Sequence, residues 1–437
     1  MIDIKKIGIL GAAKSGVSAS KLALKMGFKV ILSDIDKNKK IDIDSNNDLT
    51  IELGEHSDLI LDSDIVIISP GINPKLSIIE KINIKKIPII SEIEFASWFT
   101  SSDILAITGS NGKSTTVSIL HEIFLEAKYD SLLGGNIGIP FSSNVLLESK
   151  SKKINKTIHI VELSSFQIEK LDSFKAKIAC ILNISEDHLD RYENMDEYVA
   201  AKLKLVNHSS SMLYDSGNNL LNVSLDDIDN ANALADNKYF YISDQSVYEK
   251  DKGDVLFNLN ETNLIGKHNL ENAFSAAVIS RLYGVENKFI RKAILAFKPL
   301  PHRLELIDSN SDINCYNDSK STNIKSTLKA LQSFRKDVFL ILGGRDKGSD
   351  FSDLASSLDP VEKIFCYGEC GKNISSTLKK YVEAEYIGDF NDCVASAIES
   401  SQSNQNILLS PACSSYDQFD NYEERGNVFK NIVSRML

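Results

Sequence analysis

Short apolar runs rich in β-branched residues alternate with helical patterns along most of the chain. Ile4–Leu10, Val30–Ser33, Ile65–Ser69 and Pro88–Ile90 are each followed by Gly, Asp or Pro punctuation and read as strands. Between the first two, Ser15–Met26 has the spacing of an amphipathic helix. A second series opens with strands over Ile104–Thr108, Thr157–Glu162 and Lys177–Asn183, accompanied by helices over Ser114–Ala127, Met195–Val206 and Asn269–Tyr283. A third follows the Pro-punctuated stretch Lys298-Pro-Leu-Pro301, with strands at Ile313–Tyr316, Val338–Leu342, Lys363–Tyr367 and Ile407–Leu409. Strands that alternate with helices predict parallel sheets covered on both faces, hence an α/β fold. Boundaries fall near residues 91 and 298. The stretch Asn207–Ile265 reads irregularly, as smaller strands and loops, and no internal repeat is visible.

Length agrees with this partition, because 437 residues make two or three domains at ~100–200 residues each. A chain that is 43% hydrophobic and 25% charged is neither disordered nor membrane-spanning in composition. Its net charge of −11 argues against nucleic acid or an anionic membrane as partner. The N-terminal Met-Ile-Asp-Ile-Lys-Lys runs straight into strand-like sequence, which predicts no signal peptide. Six scattered cysteines in a large chain read as reduced thiols, so the expected compartment is the cytoplasm. Cys366 and Cys370 lack a matching pair at zinc-like spacing and read as structural.

The strongest chemical signal is Ile104-Leu-Ala-Ile-Thr-Gly-Ser-Asn-Gly-Lys-Ser-Thr-Thr116, a strand, a glycine turn and a helix start. Such a turn lets backbone N–H groups approach phosphate while the helix N-terminus supplies partial positive charge. Lys113 has the reach of a β/γ-phosphate contact and Ser114 the hydroxyl of a Mg²⁺ ligand. The loop departs from the usual phosphate-loop spacing, since Ile107 stands where the first glycine belongs. ATP is the expected ligand. The earlier turn, Gly8-Ile-Leu-Gly-Ala-Ala-Lys-Ser-Gly16, with Asp34 at the end of the next strand, is weaker; a dinucleotide or another diphosphate stays open there. Glu162 and His188 stand at strand ends, where α/β folds bind ligands, and read together with the loop as a Mg²⁺ sphere. Arginine is scarce, 8 against 41 Lys, yet Arg191, Arg303, Arg345 and Arg425 lie in dense polar clusters.

Taken in order, these segments resemble the Mur ligases, ATP-dependent amide-forming enzymes of peptidoglycan synthesis. The resemblance spans essentially the whole chain. It rests on Thr108-Gly-Ser-Asn-Gly-Lys-Ser-Thr115, Gly135-Asn-Ile-Gly138, Glu162-Leu-Ser-Ser-Phe-Gln167, Asp187-His-Leu-Asp-Arg191, Ala200-Ala-Lys-Leu203, Gly266-Lys-His-Asn-Leu-Glu-Asn272, His302-Arg303, Asn317-Asp-Ser-Lys-Ser-Thr-Asn323 and Gly343-Gly-Arg-Asp-Lys347. The tail, Leu409-Ser-Pro-Ala-Cys-Ser-Ser-Tyr-Asp-Gln-Phe419 with Asn421-Tyr-Glu-Glu-Arg-Gly426, is similar to that of the branch that adds D-glutamate to UDP-N-acetylmuramoyl-L-alanine. The Asp-Asn-Pro-Arg box of the diaminopimelate-adding branch is absent, and folylpolyglutamate synthases share the loop but not this tail.

The resemblance implies a Rossmann-like UDP-substrate domain over 1–91, a central P-loop ATPase domain over 92–298 and a Rossmann-like C-terminal domain over 299–437 that takes the amino acid. It also implies roles. Ser110, Asn111, Gly112, Lys113, Ser114, Thr115, Thr116, Asn272, Arg303, Asp318 and Lys320 would contact ATP. Ser15, Asp34, Ser69, Gly71, Asn136 and His188 would hold the UDP-substrate, with Ile35 and Asp36 departing from the family's usual hydroxyl or basic groups. Thr322, Lys347, Ser415 and Tyr422 would surround D-glutamate. Lys113, Glu162, His188 and Lys202 would be catalytic, the last as a carbamate formed with CO₂; Ser114, Glu162, His188 and carbamylated Lys202 would hold two Mg²⁺ ions. The expected molecule is a monomer. Two rival readings remain from the sequence: a ligase of this kind for another amino acid, and a nucleotide-binding regulatory module.

Overall fold

A computed structural model describes residues 4–150, 156–187, 191–225, 228–346 and 348–437. His188 and Lys347, both expected at the site, lie outside the described residues.

The first sheet has five strands in the order Leu49–Leu53, Lys29–Asp34, Lys6–Leu10, Ile65–Ile68, Ile89–Ser91, all parallel. Strand order reverses beside Lys6–Leu10, the crevice where doubly wound sheets take ligands. The helix Lys14–Lys25 buries Ala19, Leu22 and Ala23 on the face that the sequence spacing selects.

The second sheet has six parallel strands: Ala231–Ala233, Met212–Tyr214, Ile178–Ile181, Asp103–Thr108, Thr157–Glu162 and Asp130–Gly135. Thr157–Glu162 is wholly buried, as expected of a continuous apolar run covered on both faces. Asp103–Thr108 feeds directly into the helix Lys113–Glu126 through a four-residue turn. The expected helix Met195–Val206 stops at Leu203 and tightens into a 3₁₀ turn over Lys204–His208. The irregular stretch contains a three-stranded antiparallel sheet over Phe240–Ser243, Ser246–Glu249 and Val255–Asn258.

The last sheet runs Glu305–Ile307, Asn314–Asn317, Asn406–Ala412, Val338–Gly343, Val361–Tyr367, Glu383–Gly388, parallel except for the antiparallel first pair. Helices cover both faces of its strands, and the apolar residues form two separate cores.

Two compact units result. One comprises the chain up to Asn258 with Asn272–Leu295, the other Leu259–Glu271 with Ala296–Leu437. The first two sheets fall in one unit because they share a core that runs from Ile7 and Leu22 through Phe95 to Phe141 and Val161. The helices Lys14–Lys25, Glu92–Ser97 and Phe141–Lys150 pack on one another there. Glu94 fastens the joint, its buried carboxylate accepting from Trp98 Nε1 (2.7 Å) and from the backbone N–H groups of Asp172 (2.9 Å), Ser173 (2.9 Å) and Phe174 (3.0 Å). Burial opposes ionisation of this carboxyl, but those donors outweigh it and hold it below the usual range. Among the described residues, no helix is long and apolar enough to cross a membrane.

Candidate active site

The turn after Asp103–Thr108 is built by two glycines. Gly109 has φ +150° and Gly112 φ +82°, the latter a left-handed cap directly before Lys113. A side chain at Gly112 would meet Asn272 Oδ1 at 2.2 Å, so glycine here serves both the backbone turn and the close approach of Asn272. Asn272 Oδ1 in turn accepts from Thr116 Oγ1 at 3.4 Å. Ser114, Thr115 and Thr116 are buried in the first helical turn. Lys113 Nζ curls back onto the carbonyls of Gly109 (2.7 Å) and Ser110 (2.9 Å).

A second loop, following the strand Ile178–Ile181, locks this turn from the side. The N–H of Ser110 donates to Asn183 O (2.9 Å) and that of Asn111 to Asn183 Oδ1 (2.9 Å). Ser110 Oγ takes the N–H of Ser185 (2.9 Å) and lies 3.0 Å from the hydroxyl of Tyr198. The sequence marks a strand end at Asn183, but only the fold shows Asn183, Ser185 and Tyr198 bracing the phosphate loop. The signal for Tyr198 was present: it lies four residues before Lys202 on one helix, hence on the same face.

Lys202 is only 2% exposed. Its Nζ donates to Gly109 O (3.1 Å) and lies 4.7 Å from the centre of the Tyr198 ring. Burial, followed by the charge of Lys113, pulls its amine down to about 7 against the opposing pull of Asp187 and Glu162. Thus the residue that looks like a solvated helix lysine in sequence is a desolvated amine beside the phosphate loop. Glu162 ends its strand fully enclosed: Oε1 accepts from Asn136 Nδ2 (2.9 Å), while Oε2 has no hydrogen-bond partner among the described residues. A buried carboxylate oxygen without a partner, close to a hydroxyl-bearing helix start, suits a hard divalent cation. Ser114 and Glu162 therefore fit Mg²⁺. Among the described residues no three of His, Cys, Asp or Glu group as a metal site, His188 lying outside them.

At the edge of the first sheet, Asp34 Oδ2 accepts from Ala12 N–H (2.7 Å) and Oδ1 from Asp36 N–H (2.9 Å). Burial works against its ionisation, but these two N–H groups prevail and keep it below the ordinary range. Ser69 Oγ donates to Gly11 O at 3.2 Å, so Ser69 and Asp34 both border the first glycine turn. Ser15 is half-buried in the helix that follows, and Gly71 is exposed beyond Ser69. Arg191 stacks on Phe166, 3.6 Å from its ring centre, and donates Nη1 to Pro70 O (3.2 Å), which links Arg191 to this edge.

In the other unit, Arg303, Asp318, Lys320, Thr322, Ser415 and Tyr422 gather around the ends of the strands Asn314–Asn317 and Asn406–Ala412. Asp318 accepts from Ser410 Oγ (2.8 Å) and Leu304 N–H (3.2 Å). Burial nevertheless pushes it up to about 6, with Arg303 among the groups that oppose the rise. Lys320 Nζ sits 3.9 Å over the Tyr422 ring. The chain bends sharply here: His302 and Leu304 adopt φ +63° and +46°, and Ala412 φ +59°. Ser415 is buried and Thr322 half-buried.

Comparison with known proteins accords with this geometry. Residues 107–280 match the Mur ligase middle domain, 302–413 the glutamate ligase domain of Mur ligases and 6–78 the MurD N-terminal domain. The UDP-N-acetylmuramoylalanine--D-glutamate ligase of Clostridioides difficile is 33% identical over 453 residues, 99% of each chain. That of Koribacter versatilis is 34% identical over 450 residues, covering 99% of this chain and 98% of its own. Among solved structures, the UDP-N-acetylmuramate-alanine ligase of Thermotoga maritima superposes with TM-score 0.62 at 18% identity, over 98% of each chain. The MurF ligase of the same organism, solved with ADP, gives 0.61 at 13% identity, over 100% of this chain and 97% of its own.

Proposed function

The chain belongs to the Mur ligase family, and from that membership and the phosphate cradle we infer an ATP-dependent ligase that joins D-glutamate to UDP-N-acetylmuramoyl-L-alanine in peptidoglycan precursor synthesis. The observation that carries the chemistry is the strand–glycine turn–helix unit with Glu162 and Lys202 buried beside it.

A carboxylate is a poor electrophile, because its oxygen leaves badly and its charge repels an amine. Transfer of the γ-phosphoryl group of ATP to the substrate carboxylate gives an acyl phosphate, which the D-glutamate amine attacks with loss of phosphate. Such chemistry asks for charge stabilisation and alignment more than for a covalent protein group. Loop N–H groups and Lys113 bind and orient the transferring phosphoryl group, Lys113 exchanging its two loop carbonyls for phosphate oxygens. Ligases of this family use ATP and Mg²⁺. Ser114 and Glu162 would hold the nucleotide metal, which when bound neutralises phosphate charge. His188 and Lys202, as a carbamate, belong to the same reading around a second ion.

Ser110, Asn111, Gly112, Thr115, Thr116, Asn272, Arg303, Asp318 and Lys320 are assigned to ATP. Ser15, Asp34, Ser69, Gly71 and Asn136 go to the UDP-substrate, and Thr322, Lys347, Ser415 and Tyr422 to D-glutamate. In this reading residues 1–91, 92–298 and 299–437 are the three functional domains of a cytoplasmic monomer. The test is phosphate release with UDP-N-acetylmuramoyl-L-alanine, ATP and Mg²⁺ in the presence of D-glutamate, L-glutamate or other amino acids. Turnover confined to D-glutamate supports the reading; preference for another amino acid refutes it.

A further inference from the structure

Arg425 heads the fully buried side chains, with 0% exposure. It lies near the start of the last helix, Tyr422–Met436, and its guanidinium makes four hydrogen bonds. Nε donates to Ser319 Oγ (2.9 Å), Nη2 to Ser319 O (2.7 Å), and Nη1 to both Cys413 O (3.1 Å) and the Tyr367 hydroxyl (3.1 Å). Ser319 Oγ then donates to Tyr422 O (2.8 Å), closing the network onto the helix start. All these acceptors are neutral, and no carboxylate bonds Arg425 among the described residues. Desolvating a guanidinium without a counter-ion is unfavourable, so a packing role alone would be met better by an apolar residue of like volume.

What the guanidinium joins is specific. Ser319 sits between Asp318 and Lys320 and three positions before Thr322; Cys413 is two positions before Ser415; Tyr422 opens the helix that carries Arg425. These loops meet only through tertiary folding: Ala412, at φ +59°, donates its N–H to Ser321 O (3.1 Å), and the guanidinium adds the bonds to Ser319, Cys413 and Tyr367 that carry the same junction on to the last helix. A planar fork with fixed donor directions can set that spacing, whereas a flexible ammonium cannot.

We propose that Arg425 is a positioning residue for the incoming amino acid, tying the 318–322 loop, the 413–415 turn and the start of the last helix into one cradle without touching substrate. This rests on the assignment of D-glutamate to Thr322, Ser415 and Tyr422 made above.

The experiment is steady-state phosphate release by the full-length enzyme, with each substrate varied in turn. Arg425→Ala raises the KM for D-glutamate about tenfold or more while the KM for ATP stays within about twofold, the signature of a misplaced binding group. Low millimolar guanidinium, well below denaturing levels, restores part of that loss by refilling the cavity. Arg425→Lys, which keeps the charge but not the fork, remains impaired. Tyr367→Phe deletes a single acceptor from the clamp and raises the KM for D-glutamate a few-fold, so the idea stays testable if Arg425→Ala fails to fold. Equal changes in all three KM values, or an unchanged D-glutamate KM in a folded Arg425→Ala or in Tyr367→Phe, overturn the proposal. Thr322→Val and Ser415→Ala serve as reference: an unchanged D-glutamate KM in both overturns the site assignment and this proposal with it. A rise in those two, without one in the Arg425 and Tyr367 variants, overturns the positioning role alone.

Discussion

Carbon dioxide reacts with an amine only when the amine is neutral, and the structure sets how much of Lys202 is in that form. An exposed lysine near pKa 10.4 is ~0.1% neutral at about pH 7.5. With its amine drawn down to about 7 by burial and by Lys113, Lys202 is roughly three-quarters neutral at that pH, a gain on the order of 10³ in reactive amine. The expected outcome is a carbamate that forms at ambient bicarbonate and converts a largely neutral amine into an anion beside Glu162. Two measurements check it. Activity in CO₂-depleted buffer falls and recovers on adding bicarbonate, and protein equilibrated with ¹³C-bicarbonate gives a carbamate ¹³C resonance that is absent from Lys202→Ala. Small carboxylic acids restore part of the activity of Lys202→Ala by occupying the vacated space. The same shift has a consequence for stability. Since the folded amine has a lower pKa than the unfolded one, the unfolded chain binds more protons between about pH 7 and 10.4, and stability rises with pH across that window. Below it the buried charge is destabilising, so Lys202→Met should be inactive yet more stable than the wild type near pH 6, by a few kcal/mol at most. Bicarbonate-independent activity with no carbamate resonance, or a fully active Lys202→Ala, would refute the reasoning.

Three further outcomes are expected. Lys113→Ala should keep its circular dichroism and melting profile while turnover falls at least about 10²-fold, because the loop loses the lysine charge at the phosphoryl group; near-wild-type turnover would contradict this. Glu162→Gln removes the charge from the partnerless Oε2 and should raise the Mg²⁺ concentration for half-maximal activity well above its effect on the KM for D-glutamate, as read from Mg²⁺ titrations. Asp318, raised to about 6 in the folded protein, is costly to ionise, so its fold contributes stability that is present below about pH 4 and lost as pH rises through 6. Asp318→Asn should therefore melt at least as high as the wild type at pH 7.5 while its KM for ATP rises, and a lower melting temperature there would count against the burial argument.

Much of this molecule is legible in its sequence because the relevant physics is local. Buried parallel strands must be apolar along their length, so Ile104–Thr108 and Thr157–Glu162 announce themselves within a residue or so of their observed ends. A phosphate turn needs glycines, a lysine and a hydroxyl within a few consecutive positions, and all of these stand between Gly109 and Ser114.

Tertiary structure alone decided the rest. Nothing in the composition of Met195–Leu203 distinguishes a solvated lysine from one enclosed by Tyr198 and the phosphate turn, since enclosure depends on chain nearly a hundred residues away. That the first two sheets share one core, while the third is a separate unit, depends on how three helix faces pack, which periodicity does not specify. Arg425 stands in a polar cluster near the chain's end in the sequence, yet folding removes it from water among acceptors from Ser319, Tyr367 and Cys413. Hydrophobic patterning fixes which residues leave water; only the folded chain fixes which buried polar groups then meet, and the chemistry of the site depends on those meetings.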